Sequence, residues 1–229
     1  MKTIGLIGGM SWESTQTYYR LINQKVREQL GGLHSAKIIL YSVDFAEIET
    51  LQHEGDWEGT AKILVSAAQC VQAGGADFLL ICTNTMHKVA PQIEQACPTP
   101  LLHIADATAN ALIKDGITSV GLLGTRFTME QTFYRERLEK QGISVIIPDD
   151  RERNAVHRII YEELCKGIIN PDSKAAYLDI ADSLAARGAQ AVILGCTEIG
   201  LLIQASDTRV ALYDTTEIHA DQAVKLALK

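Results

Sequence analysis

The feature that most limits what this chain can fold into is an internal repeat. Thr3 to Gly9, TIGLIGG, returns as Ser119 to Thr125, SVGLLGT, and YYRLINQ from Tyr18 returns as FYRERLE from Phe133. DFLLICTNT, which follows Gly75-Ala76, returns as QAVILGCTE after Gly188-Ala189. The offsets are 116 residues from Gly5 to Gly121 (121 − 5), 115 from Tyr19 to Tyr134 (134 − 19) and 113 from Thr83 to Cys196 (196 − 83). Order is kept and spacing barely drifts. A duplicated domain is the simplest account, although one supersecondary unit used twice would leave the same trace.

Each copy alternates short apolar runs with amphipathic segments of helix length. TIGLIGG is followed by Ser14 to Leu30, KIILYSV by Trp57 to Ala73, and DFLLIC by His87 to Ala96. The rhythm restarts with LLHI and Asp106 to Lys114, then SVGLLG and Met129 to Gln141, then AVILG and Thr197 to Ile203, and closes with VALYD and Glu217 to Leu228. That is the signature of βαβ units, so the expected fold class is α/β, with two similar domains that each hold a mainly parallel sheet flanked by helices. The first domain is expected over residues 1–98 plus 213–229 and the second over 99–212, with Pro98 and Pro100 in ACPTPLLH marking a crossing. Ligands in open α/β sheets bind beyond the carboxyl ends of the strands, so a pseudo-two-fold pair of such domains is expected to hold its site in the cleft between them.

Composition narrows the partners. The formal charge is −7 and Lys and Arg form no cluster, which argues against nucleic acid. No apolar run approaches the ~20 residues of a membrane span. The N-terminal apolar stretch is broken by Gly8-Gly9 and is too short for a secretory signal. Five cysteines without framework spacing suit a reducing compartment, and a cytoplasmic location is the expectation.

The two copies differ where a ligand would sit. FLLIC runs into Thr83, Asn84 and Thr85, while AVILG runs into Cys196, Thr197 and Glu198. A thiol at a strand end ahead of a helix is expected to have a lowered pKa, because exposed amides and the helix dipole favour thiolate. Asn84, Thr85 and Thr197 are donors suited to a carboxylate, so a small acid is the expected ligand. Two acid/base groups on opposite sides of an α-amino acid can remove the α-proton from one face and return a proton to the other, which is racemisation without a cofactor. The chemistry ordinarily asks for two thiols, since a Thr hydroxyl is too weak an acid to ionise freely near neutral pH.

In these motifs the sequence resembles the aspartate/glutamate racemases, whose superfamily also holds hydantoin racemase, maleate isomerase and arylmalonate decarboxylase. The likeness spans essentially the whole chain. It rests on IGLIGGMSWEST at the start, CTNTMHK, LLGTRFTME, IIYEELCKG from Ile159, and GCTEIG around Cys196. It implies catalysis by Thr83 and Cys196, substrate contacts from Met10, Gln52, Asn84, Thr85, Thr125, Thr128, Thr197 and Glu198, no metal, no pyridoxal phosphate, and a homodimer. The family's first catalytic position is usually a Cys directly before Asn-Thr, whereas here it is Thr83 with Cys82 one residue earlier. Strand alternation turns Cys82 to the other face. A branch carrying that Thr acts on L-aspartate and L-glutamate. Ile48 stands where an Arg is typical, and Cys165, beside Lys166, where a Lys is typical, which leaves side-chain carboxylate recognition open.

Plainer readings accompany each of these. A free Cys is most often a small buried hydrophobe, the reading taken for Cys70, Cys97 and Cys165. Cys82, His87 and Cys97 match no usual zinc spacing. GLIGGM lacks the dinucleotide-loop spacing, so Gly8-Gly9 reads as a tight turn whose amides can meet a carboxylate. Thr125 and Thr128 suit helix capping, His103 and His219 a structural role, and Gln52 a polar loop. Two functional rivals stay open: an isomerase or decarboxylase of another small diacid, and a binding protein that holds an acidic amino acid without turning it over.

Overall fold

The computed structural model describes all 229 residues, which form two compact units: Met1–Ile104 with His219–Lys229, and Ala105–Ile218. The first unit is built on β1 (Ile4–Gly8), β2 (Ile38–Ser42) and β3 (Phe78–Ile81), all parallel, in the order β2-β1-β3. A single parallel bridge from Leu79 to Leu101 extends the sheet past β3. The second unit holds β4 (Ser119–Gly124), β5 (Ser144–Ile146), β6 (Ala191–Gly195) and β7 (Ala211–Asp214), parallel in the order β5-β4-β6-β7. With β1 matched to β4, β2 to β5, β3 to β6 and the Leu101 bridge to β7, the two orders coincide. The structure thus repeats what the sequence repeats. The alternating βα pattern leaves little choice, because a parallel pair needs a crossover long enough to span the sheet, and a helix supplies it.

In the first unit, α1 (Trp12–Leu30), α2 (Phe45–Glu54), α3 (Trp57–Ala73) and α4 (Ala90–Ala96) surround the sheet, and a 3-10 turn over Thr85–Val89 precedes α4. Strand alternation sorts the core by face. Ile7, Leu79 and Ile81 pack with Leu64, Ala68 and Val71 of α3 and with Ile48 of α2, while Ile4, Leu6, Leu80 and Cys82 pack with Tyr18, Ile22 and Val26 of α1. The helix ends are chemically marked. Ser11 caps α1 by accepting from Ser14 N–H at 3.3 Å, and Asp56 caps α3 by accepting from Gly59 N–H at 2.7 Å.

The second unit carries α5 (Ile104–Lys114, whose first residue belongs to the first unit), α6 (Arg126–Glu130), α7 (Thr132–Glu139), α8 (Asp150–Glu162), α9 (Pro171–Ala186) and α10 (Ile199–Leu202). The last helix, α11 (Thr215–Ala227), begins here and ends in the first unit. Its main core joins Leu123, Val192 and Leu194 of the sheet to Val156, Ile159, Ile160, Tyr177 and Leu184. A full capping box between Asp149 and Glu152 opens α8.

Three local expectations change. The chain leaves the first unit at Ile104 rather than at Pro98 to Pro100, and β7, with residues 213 and 214, pairs in the second sheet. The helix expected over Met129 to Gln141 is two, because Gln131 is extended (φ −80, ψ 152). Gln52 lies on α2, where it is buried together with Ile48, not in a polar loop. The short α2 follows an Asp44 cap, and its apolar positions are too few to stand out in the sequence. No helix is long and apolar enough to cross a membrane.

Candidate active site

In the first unit the carboxyl ends of β1 and β3 lie side by side, in the register Ile7 to Ile81, with Cys82 N–H donating to Ile7 carbonyl at 2.9 Å. Met10 therefore leaves β1 next to where Thr83 leaves β3. The turn after β1 needs Gly9: its φ is +94, and a Cβ there would run into the Val43 backbone. Gly9 N–H donates to Thr15 Oγ1 at 2.8 Å. Met10 sends its side chain into the apolar cluster with Ile48.

Thr83 is partly exposed, whereas Cys82, Asn84 and Thr85 are buried. Cys82 is wholly inside the cluster with Leu6, Leu80 and Tyr18, and burial pushes its thiol far above its ordinary value. It is packed as a hydrophobe. Gln52 is 4% exposed, and its Oε1 meets no hydrogen-bond partner. Such an atom is costly to leave alone, so it marks a place where a bound donor would be rewarded. Ile48 is fully buried among apolar neighbours, Cys165 is half-buried against the second unit's core, and Lys166 is exposed.

In the second unit β4 and β6 end together, Gly124 opposite Gly195. The approach is close. A Cβ on Gly195 would lie 2.7 Å from the Leu123 carbonyl oxygen, and one on Gly124 would lie 2.9 Å from that of Gly195. Thr125, just past β4, caps α6, its Oγ1 3.3 Å from both Thr128 N and Thr128 Oγ1. Both threonines are buried. Capping therefore accounts for part of what the GTRFT motif does.

Cys196, just past β6, is half-buried. Its Sγ donates to Glu198 Oε2 at 3.0 Å, and Thr197 Oγ1 donates to the same oxygen at 2.7 Å. Glu198 is itself buried. The expected low thiol pKa is not found: burial first, then the Glu198 carboxylate and Cys165, push Cys196 well above its ordinary value. The physical reason is local. The helix that follows begins only at Ile199 and runs four residues to Leu202, too short to supply much of a dipole, and a carboxylate sits where positive potential was expected. In this state the thiol keeps its proton and points it at an acceptor. Spacing alone could have nominated Glu198 as that acceptor, two residues beyond the thiol, but not its sign on the thiol pKa.

The model of the Asp/Glu/hydantoin racemase family matches residues 7–223. The chain belongs to that family. A Yersinia pestis crystal structure described provisionally as an Asp/Glu racemase is 61% identical, with 100% of both chains covered and a TM-score of 0.94. An aspartate racemase homologue of Pyrococcus horikoshii is 36% identical over 100% of both chains, with a TM-score of 0.88. The broad specificity amino-acid racemase of Bacillus subtilis is 23% identical and covers 98% of each chain. This is accordingly an enzyme of the racemase class, and its α/β fold of two similar domains is the family's.

Proposed function

We propose that the enzyme racemises an acidic amino acid, L-aspartate or L-glutamate, without a cofactor, with Cys196 as the base toward the L isomer and Thr83 on the opposite side. The observation that carries the reading is the Cys196 thiol held on Glu198 at the end of β6, at the place in its sheet that Thr83 occupies after β3. The names of the relatives support the substrate class.

The resting thiol is protonated because burial and the Glu198 carboxylate outweigh the Glu198 backbone amide, which pulls the other way. An α-ammonium group brought into the site reverses that balance, since a nearby cation favours thiolate. Glu198 Oε2 then takes the Sγ proton, the thiolate takes the α-proton of the L isomer, and the Thr83 hydroxyl delivers a proton to the other face of the carbanion. The alkoxide left on Thr83 is refilled from solvent. The reading requires Cys196 and Thr83 to reach opposite faces of one α-carbon, with Met10, Gln52, Asn84, Thr85, Thr125, Thr128 and Thr197 binding the substrate around it. Gln52, with its unpaired buried oxygen, is the member of that group with an evident need for a ligand donor.

On this reading, Thr83 in place of the usual Cys goes with the branch that acts on L isomers. The same reading takes the protein as a cytoplasmic homodimer, in keeping with five free cysteines and with Trp12, Tyr19 and Leu33, which leave large apolar surface exposed along and just after α1. Light scattering at micromolar concentration checks the dimer.

The decisive experiment incubates the enzyme in heavy water with each enantiomer of aspartate and glutamate, no cofactor added, and follows α-deuterium by NMR and enantiomer ratio by chiral chromatography. Exchange and loss of optical purity from the L isomers are expected. Binding without α-exchange would make the protein an acidic amino-acid receptor, and turnover only of another diacid would move it to a different reaction of the superfamily.

A further inference from the structure

Thr83 lies outside regular structure, after β3 ends at Ile81 and before the 3-10 turn starts at Thr85, so no strand or helix ladder fixes its backbone. Two side chains do. Ser14 Oγ on α1 donates to the Cys82 carbonyl at 2.8 Å, which belongs to the peptide on the N-terminal side of the Thr83 α-carbon. His87 Nδ1 meets the Thr83 carbonyl at 2.8 Å, which belongs to the peptide on the C-terminal side. Both clamps are buried, at 3% and 1% exposure.

The direction of the second bond follows from the far side of the ring. Ile104 N–H, which can only donate, points at His87 Nε2 at 3.2 Å. Nε2 must therefore accept, the ring proton is on Nδ1, and Nδ1–H donates to Thr83. The His87 backbone N–H takes the next carbonyl, that of Asn84, at 3.1 Å, so one residue fixes two successive peptides. His103 lies against the ring at 4.4 Å between centroids, with His219 at 5.9 Å. His219 is anchored in turn by Tyr18 Oη and the Leu102 carbonyl, each at 2.8 Å.

We infer that Ser14 and the neutral Nδ1–H form of His87 are positioning residues that aim the Thr83 hydroxyl. The inference rests on the catalytic reading of Thr83 given above. A hydroxyl is a poor proton carrier, so its placement has little margin, and a displacement of about 1 Å from productive geometry can cost about 10²-fold in rate.

Deuterium exchange separates the two sides of the reaction. α-Deuteration of an L isomer with retention needs only the Cys196 side, with Glu198 as its acceptor, while deuteration with inversion also needs Thr83, so the inversion-to-retention ratio reports on the Thr83 side. His87→Gln and Ser14→Ala should each lower that ratio about 10- to 100-fold while retention stays near the wild-type rate. His87→Asn should recover most of the loss, because its amide nitrogen can occupy the place of Nδ1. Thr83→Ala is the reference. If Thr83→Ala leaves the ratio unchanged, the catalytic reading fails. If it collapses the ratio while Ser14→Ala and His87→Gln match wild type, the positioning inference alone is overturned, as it is if all three clamp variants lose both exchanges equally. The wild-type protein supplies a test that survives misfolded variants: ring nitrogen NMR shifts of His87 should show a protonated Nδ1 and a bare Nε2, and the opposite tautomer would overturn the inference.

Discussion

Cys196 Sγ and Glu198 Oε2 are 3.0 Å apart, and the same oxygen also receives the Thr197 hydroxyl at 2.7 Å. The carboxylate does two opposed things. It raises the thiol pKa by its charge and supplies the acceptor through which the thiol can be emptied.

Glu198→Gln separates those effects. Removing the charge should move the pH at which iodoacetamide alkylates Cys196 downward, while burial still holds it above that of a free thiol. Losing the acceptor should cut turnover of the L isomer by about 10²-fold, the lower end of general-base contributions. An unchanged alkylation profile would mean that Glu198 does not control the thiol.

Cys196→Ser should abolish exchange and racemisation, since a Ser hydroxyl is a poor base at neutral pH. Thr83→Cys should raise turnover of D-aspartate or D-glutamate relative to the L form, by restoring a thiol pair. Steady-state constants for both enantiomers decide it. Equal constants in wild type, or an unchanged enantiomer ratio in Thr83→Cys, would remove Thr83 from the second acid/base position.

Cys82→Ala should leave turnover within about two-fold. Its cost is in stability, about 1 kcal/mol for a small cavity in the cluster with Leu6, Leu80 and Tyr18, read from chemical denaturation. Native Cys82 should also resist thiol reagents that modify the exposed Cys70.

Asp214 sets a pH dependence of stability. Burial raises its pKa from 3.8 to about 6, although the Thr216 and Glu217 amides, which it accepts at 2.8 and 3.2 Å, pull the other way. A carboxyl whose folded pKa lies above its unfolded one favours folding when protonated. Its contribution is complete below the unfolded value near pH 4 and is lost as pH rises through about 6. The wild type should lose up to about 2–3 kcal/mol relative to Asp214→Asn between pH 4 and pH 7.5. Denaturation midpoints of the two proteins at several pH values provide the comparison, and parallel curves would show that Asp214 titrates normally.

Much of this was legible beforehand because the repeat and the βα rhythm are backbone facts. Thr83 and Cys196 follow equivalent strands, and both strand ends could be found from apolar runs that stop at small polar residues. Alternation also gave the inward face of Cys82. What escaped depends on distances the sequence does not carry. Gln52 reads as polar loop because α2 has few apolar positions, and only packing shows it buried. The sign of the Cys196 pKa shift turns on where one carboxylate oxygen lies. His87 and Ser14, seventy-three residues apart (87 − 14), become a pair only once the Cys82 and Thr83 carbonyls beyond β3 are placed to meet them.

The touching ends of β4 and β6 set a rule for altering this enzyme. With Gly195 pressed on the Leu123 carbonyl and Gly124 on that of Gly195, neither position can accept even a methyl group without parting the strands that deliver Thr125 and Cys196. Selection for a new substrate therefore has these rails fixed: a library that varies Gly124 or Gly195 parts the strands before it can reshape anything they carry.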